Sequence, residues 1–121
     1  MSQYVETGTK SFIAGGSISA NTFVKFSSVG VVATAGATEY PIGVALEPAA
    51  KDGHVAVRLL NSQGTVKVVA ADGVTAGAKV YCKANGKCDD TAGSDKLAGI
   101  ALETASQTGD IIEIIPILLQ S

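Results

Sequence analysis

Along this chain, short runs of Val, Ile, Leu and Ala alternate with polar residues and are cut at close intervals by Gly, Asn, Asp or Ser. A period of two bounded by turn residues argues for many short β-strands joined by tight turns. No window sustains a 3.6-residue apolar stripe, so helix is expected to be minor. Residues 45–50 have a helix-friendly composition, but Pro48 interrupts them.

The same pattern occurs twice. Shifting the chain by 56 positions against itself aligns Ala14 with Ala70, Val24 with Val80, Gly30 with Gly86, Gly43 with Gly99 and Glu47 with Glu103. Apolar swaps such as Ile18/Val74, Val55/Ile111 and Leu59/Ile115 fill the gaps, so turn glycines and core positions stay in one register. Each unit reads as an opening strand (9–13 or 65–69), a turn, and a small-residue segment ending in a strand (18–26 or 74–82). A hairpin follows through Gly30 or Asn85-Gly86, and then a polar loop. Next come the strands IGVALE and AGIALE, a turn at Asp52-Gly53 or Thr108-Gly109, and the closing strands VAVRLL and IIEIIPI. Gly43 and Gly99 fall inside apolar strands, which points to a bulge or a close backbone approach at one place in each unit.

The expected fold is therefore all-β with little helix: two tandem β-rich units, small β-barrel or β-clip-like, packed with pseudo-twofold symmetry. The expected limits are an N-terminal arm (1–8), a first unit (9–62) and a second unit (63–121), together one compact domain. A unit of this size buries only about 60% of its unfolded surface, so two copies should lean on each other.

Charge and composition narrow the function. Only 17% of residues are charged, against roughly 25% in an average globular protein, which suits faces covered by a partner. The net charge of −2 and the scattered Lys and Arg give no footprint for nucleic acid or an anionic membrane. No stretch approaches the roughly 20 apolar residues that span a bilayer. The N-terminus MSQYVETGTK lacks the basic and apolar regions of a signal peptide, so cytosolic synthesis is expected.

Candidate chemistry is sparse. Cys82 and Cys88 flank Lys83-Ala84-Asn85-Gly86-Lys87. A three-residue loop with Gly86 left-handed would set them face to face, either as an apolar pair like Phe26 and Val32 in the first unit or as a cross-strand disulfide. A two-residue loop would put them on opposite faces. Two cysteines and the single His54 fall short of a zinc site, so no metal or cofactor is expected. Nucleophile-elbow and phosphate-loop motifs are missing, and no catalytic residue is assigned. Glu47 and Glu103, placed equivalently, suit solvated or interface carboxylates, and Arg58 lies within an apolar strand where it could pair with Glu47 or meet a partner.

The ordered segments AGGSISANTFVKF, YPIGVALEPAAKDGHVAVRLLNSQGTVKV, AGAKVYCKANGK and KLAGIALETASQTGDIIEIIPI resemble the capsid cement, or decoration, proteins of tailed bacteriophages. The resemblance spans residues 7–117 and rests on a PIGVAL strand and a GIALE ending followed by Gly-Asp and an apolar strand. It implies a structural, non-enzymatic protein on the outside of an expanded icosahedral head. Its partner would be the major capsid protein, and it would associate with itself as a homotrimer or, second, a dimer. Host-cytoplasmic synthesis and a virion location follow from the same likeness. Contacts are expected from the non-repeated ends, Gln3, Tyr4 and Val5 at one and Leu118 and Leu119 at the other, together with Glu47, Arg58 and Glu103. The competing reading is a small ligand module for carbohydrate or ice, which the few aromatics and scattered threonines supply poorly.

Overall fold

The computed structural model describes residues 9–60, 64–92 and 95–117. Ten strands form, with a single 3-10 turn at Ala84–Gly86 as the helical content of the described residues. The alternating runs of the sequence become β1 (Thr9–Ala14), β2 (Phe23–Ser28), β3 (Val31–Thr34), β4 (Gly43–Ala45) and β5 (His54–Leu59). They close into a barrel in the order β1-β3-β2-β4-β5. The second set comprises β6 (Val66–Val69), β7 (Lys79–Cys82), β8 (Cys88–Asp89), β9 (Leu97–Ala101) and β10 (Ile111–Pro116). It forms an open sheet in the corresponding order β6-β10-β9-β7-β8. The all-β expectation with little helix is met.

Pairings in one sheet recur in the other. The isolated bridges Ile18–Ala49 and Val74–Ala105 lie 56 positions apart. Positive φ angles recur at Asn21 and Gly77, and at Gly30 and Gly86. After the last turn the spacing becomes 57. Phe12 pairs with Val55, whereas Val68, 56 positions after Phe12, pairs with Ile112. Asp52 and Gly109 carry the corresponding positive φ, and each donates its amide to a matched carbonyl, Ala14 or Ala70. The gap-free alignment of Val55 with Ile111 and Leu59 with Ile115 is thus corrected by one residue. A single extra turn residue in the second unit explains the slip, because a one-residue shift exchanges the faces of a strand: Val55 and Ile112 are buried, while Ile111 is 51% exposed.

The barrel closes where β1 runs parallel to β3 through Ile13–Val31 and Ala14–Val32. In the second sheet that seam shrinks to one bridge, Ala70–Cys88. The Val69 amide, at the position where Ile13 bonds Gly30 O in the barrel, instead donates to Asn21 O of the first unit at 2.9 Å. The first unit therefore takes the place of the missing seam contact.

The cores follow from strand alternation. Ala14, Ile18, Val24, Val32, Ala45, Val55 and Val57 fill the barrel. Phe23 and Val44, one residue out of phase with Val24 and Ala45, point out of it. Both are nevertheless fully buried, because with Ala35 and Leu60 they join the core of the second unit around Val68, Val80, Ile112 and Ile114.

Candidate contact surface

The junction between the units is built by a hairpin and a face. At the β7–β8 tip the Lys83 amide donates to Lys87 O at 2.7 Å, closing a three-residue loop in which Asn85 and Gly86 both have positive φ. Gly86 lies directly on the Phe23 backbone: a Cβ there would come 2.6 Å from Phe23 O and 3.0 Å from Phe23 N. The same hairpin reaches the loop after β3, where the Cys82 thiol donates to Gly36 O at 3.4 Å. The contact is one-sided. Gly30, which occupies the corresponding tip of the first unit, has nothing within 4 Å of its Cβ position, and its neighbour Val29 is 79% exposed.

Cys82 and Cys88 lie directly opposite each other, as the three-residue loop requires. The Cys82 amide turns outward to Lys96 O and the Cys88 carbonyl outward to the Ala71 amide, so this is the closer, non-hydrogen-bonded kind of cross-strand pair. Both cysteines are free and fully buried, and burial pushes each thiol up to about 12. An unfolded thiol titrates near 9.0, so the folded state holds protons that the unfolded chain releases. That contribution to stability is complete below about 9 and is lost progressively as the pH rises towards about 12. In neutral solution a thiol reagent should leave the native protein unlabelled and label both cysteines once the chain is denatured without reductant. Absence of label in the denatured chain would reveal a disulfide instead.

Of the remaining expected contact residues, Glu47 and Glu103 serve backbone groups, Arg58 lies half-buried on β5, and the rest lie outside the described residues. Glu47 Oε2 accepts from the Ala56 amide at 3.1 Å, and Glu103 Oε1 from the Glu113 amide at 2.7 Å. Each carboxylate thus tethers the loop after its Ala-Leu-Glu run to the last strand of its unit. The leucines beside them, Leu46 and Leu102, are 47% and 44% exposed, and sequence reasoning did not single them out. Arg58 is half-buried on β5, opposite Val44 and Thr9. Gln3, Tyr4, Val5, Leu118 and Leu119 lie outside the described residues.

Two charged groupings hold loops. Glu39 pairs with Lys25 and accepts from the Gly36 amide, and these hydrogen bonds hold its carboxyl below the usual range. Burial alone would pull the Lys83 ammonium down, but hydrogen bonds to Asp95 and Asp89 outweigh it and hold it up. Among the described residues no group of acidic, His and Cys side chains is arranged to hold a metal ion, and no helix is long and apolar enough to cross a membrane. A cleft of about 560 Å³ opens at the junction, lined by Ser17, Ser19, Thr22 and Thr34 from the first unit and by Asn85 and Lys87 from the second. No aromatic ring lines it to stack on a sugar.

The described surface thus exposes several large apolar side chains, Phe26, Val29, Leu46, Leu102, Ile111 and Ile115 among them, beside carboxylates that hold loops. No curated protein matches the chain. Among solved structures, the head fiber gp8.5 N base of bacteriophage phi29 superposes with a TM-score of 0.75 at 17% identity, covering 93% of this chain and 98% of that one. At that identity the likeness establishes a shared fold. The family model for phage cement proteins matches residues 5–116, nearly the whole length, and the chain belongs to that family.

Proposed function

We propose that this protein is a structural cement of a phage particle, attached to the outside of the expanded head and stabilising contacts between its capsomers. The observation that carries the reading is the family match over residues 5–116. The fold shared with a phi29 head fiber base supports it, as does a surface with exposed large apolar residues and a low share of charge. The partner is the major capsid protein, the location is the virion exterior, and the role is structural rather than catalytic. Many copies, each with modest contacts, would reinforce a shell through avidity. Self-association as a trimer, or as a dimer, belongs to the same reading. Tandem duplication of one ancestral unit accounts for pairings that recur at 56 positions and then 57.

Two tests follow. Expanded heads lacking the protein should rupture at lower temperature than heads with it bound, and adding the purified protein back should restore the difference. Equal rupture temperatures would remove the cement role. Deleting residues 1–7, which lie outside the repeated units, should weaken head binding while leaving the melting temperature of the free protein unchanged. Undiminished binding would take the N-terminal arm out of the contact.

A further inference from the structure

The two cysteines sit where the second unit is least tied together. In the first unit β3 joins β1 through two pairs, Ile13–Val31 and Ala14–Val32, and that seam closes the barrel. The second unit has β8 in the same place, the shortest strand described, with two residues. Its seam is the single bridge between Ala70 and Cys88. Cys82, across from Cys88 on β7, meets the first unit, where its thiol donates to Gly36 O at 3.4 Å. The pair thus lies between two attachments of the hairpin, one within its own unit and one to the other. At the equivalent positions the barrel has Phe26 opposite Val32, which no covalent bond can join.

The backbone brings the cysteines together in the geometry a disulfide needs. They are directly opposite in register, and their outward-turned backbone groups make them a non-hydrogen-bonded pair. Such pairs hold their Cα atoms about 4.5 Å apart, within the roughly 4.4–6.8 Å that a disulfide spans. Both side chains are free thiols buried in one core, so joining the sulfurs turns no strand over and exposes no polar group. Gly36 O loses a donor when the Cys82 proton leaves, but it keeps the Glu39 amide at 3.2 Å. No buried carbonyl is therefore orphaned by closure. In the closed hairpin, burial keeps the thiols protonated and screens them from reagents. A strand held by so short a ladder opens locally at low cost, and that opening exposes both sulfurs together.

We propose that Cys82 and Cys88 are a latent cross-strand disulfide, which locks the β7–β8 hairpin at the junction between the units once the reduced protein meets a small disulfide oxidant. With oxidised glutathione, the thiolate of one cysteine in the opened hairpin attacks a glutathione sulfur. The glutathione S–S bond breaks, and one reduced glutathione leaves. The other cysteine then attacks the protein sulfur of the mixed disulfide, the Cys82–Cys88 bond forms and the second reduced glutathione leaves. The two thiol protons and two electrons end on the two glutathione molecules. The hairpin closes again over the bond and shields it from reduction. The setting in which this happens, release from a reducing cytoplasm into an oxidising medium, rests on the virion reading above; the disulfide does not.

The test uses the reduced full chain, incubated in mildly alkaline buffer with excess oxidised glutathione and no denaturant, and it needs no capsid. Over hours, intact-mass spectrometry should show loss of two hydrogens with no glutathione attached, and far-UV circular dichroism should stay the same. The melting temperature should rise by roughly 5–10 °C and return on adding dithiothreitol. Phe23→Ala, which loosens the support beneath the hairpin tip, should close severalfold faster than wild type. Cys88→Val, which matches Val32 of the first unit, should show no rise in melting temperature, and Cys82→Ala serves if Cys88→Val does not fold. A protein that stays reduced, one that stops at the glutathione adduct, or a disulfide form that melts at or below the reduced one would each overturn the proposal.

Discussion

Replacing Gly99 by Ala is expected to cost about 3 kcal/mol or more, at the upper end of what overpacking a core does. Gly99 lies on β9 opposite Pro116, beside the Ile100–Ile115 pair. A Cβ at this position would fall on the Ile115 carbonyl oxygen and come 3.1 Å from its carbon and 3.2 Å from Ile114 Cδ1. Because the obstacle is backbone, no rotamer change relieves it, and β9 must separate from β10. The first unit repeats the arrangement, since a Cβ on Gly43 would meet Arg58 O at 2.6 Å. With total stability of order 5–15 kcal/mol and a urea dependence of about 1–3 kcal/mol/M, the denaturation midpoint should fall by roughly 1–3 M. A shift below about 0.5 M, on the same scale, would show that the strands part easily and that the glycine is not needed for their approach.

Phe23→Ala is expected to cost about 3–5 kcal/mol, the usual range for deleting a buried phenyl ring. Phe23 is the largest fully buried side chain described, and it belongs to the core of the second unit although its strand belongs to the first. Its loss opens a cavity between units and loosens the support beneath the Gly86 tip. The distinguishing sign is at the cysteines. Cys82 is held against Gly36 of the first unit, so Phe23→Ala should raise the rate at which a thiol reagent labels the folded protein. The barrel-interior variant Val57→Ala, brought to the same overall stability with urea, should label more slowly than Phe23→Ala. Equal labelling rates in the two variants would mean that the junction is not held by Phe23.

Much of this organisation is legible in the sequence, and the exceptions have physical causes. Alternation and turn residues locate the strands, because a half-buried strand needs one apolar face and tight turns need Gly, Asn or Asp. Gly43 and Gly99 stand out since an unpacked residue inside an apolar strand needs a steric reason, and the backbone contacts supply it. The Ala84-Asn85-Gly86 loop was one of two that the sequence allowed, because Asn-Gly suits a two-residue turn as well as a three-residue one; the fold takes the longer loop and sets Cys82 opposite Cys88. The extra residue in the last turn of the second unit was not foreseeable, because an ungapped match between Gly53 and Gly109 looks as good as the true match between Asp52 and Gly109. Nor does strand patterning reveal what covers an outward face. Phe23 and Lys79 occupy the same place in the two units, and that contrast was the available signal that one face is covered within the chain and the other is not. The carboxylates of Glu47 and Glu103 could be placed after their strands, but their backbone partners depend on the fold of the whole unit.

The most direct measurement of the central claim is co-sedimentation of the purified protein with expanded heads of its own phage, read as copies bound per head. A cement protein should saturate at a fixed number of copies set by the local symmetry axes of the shell and should bind unexpanded heads far less. Binding that rises without saturation, or a well-folded protein that leaves expanded heads bare, would contradict the account.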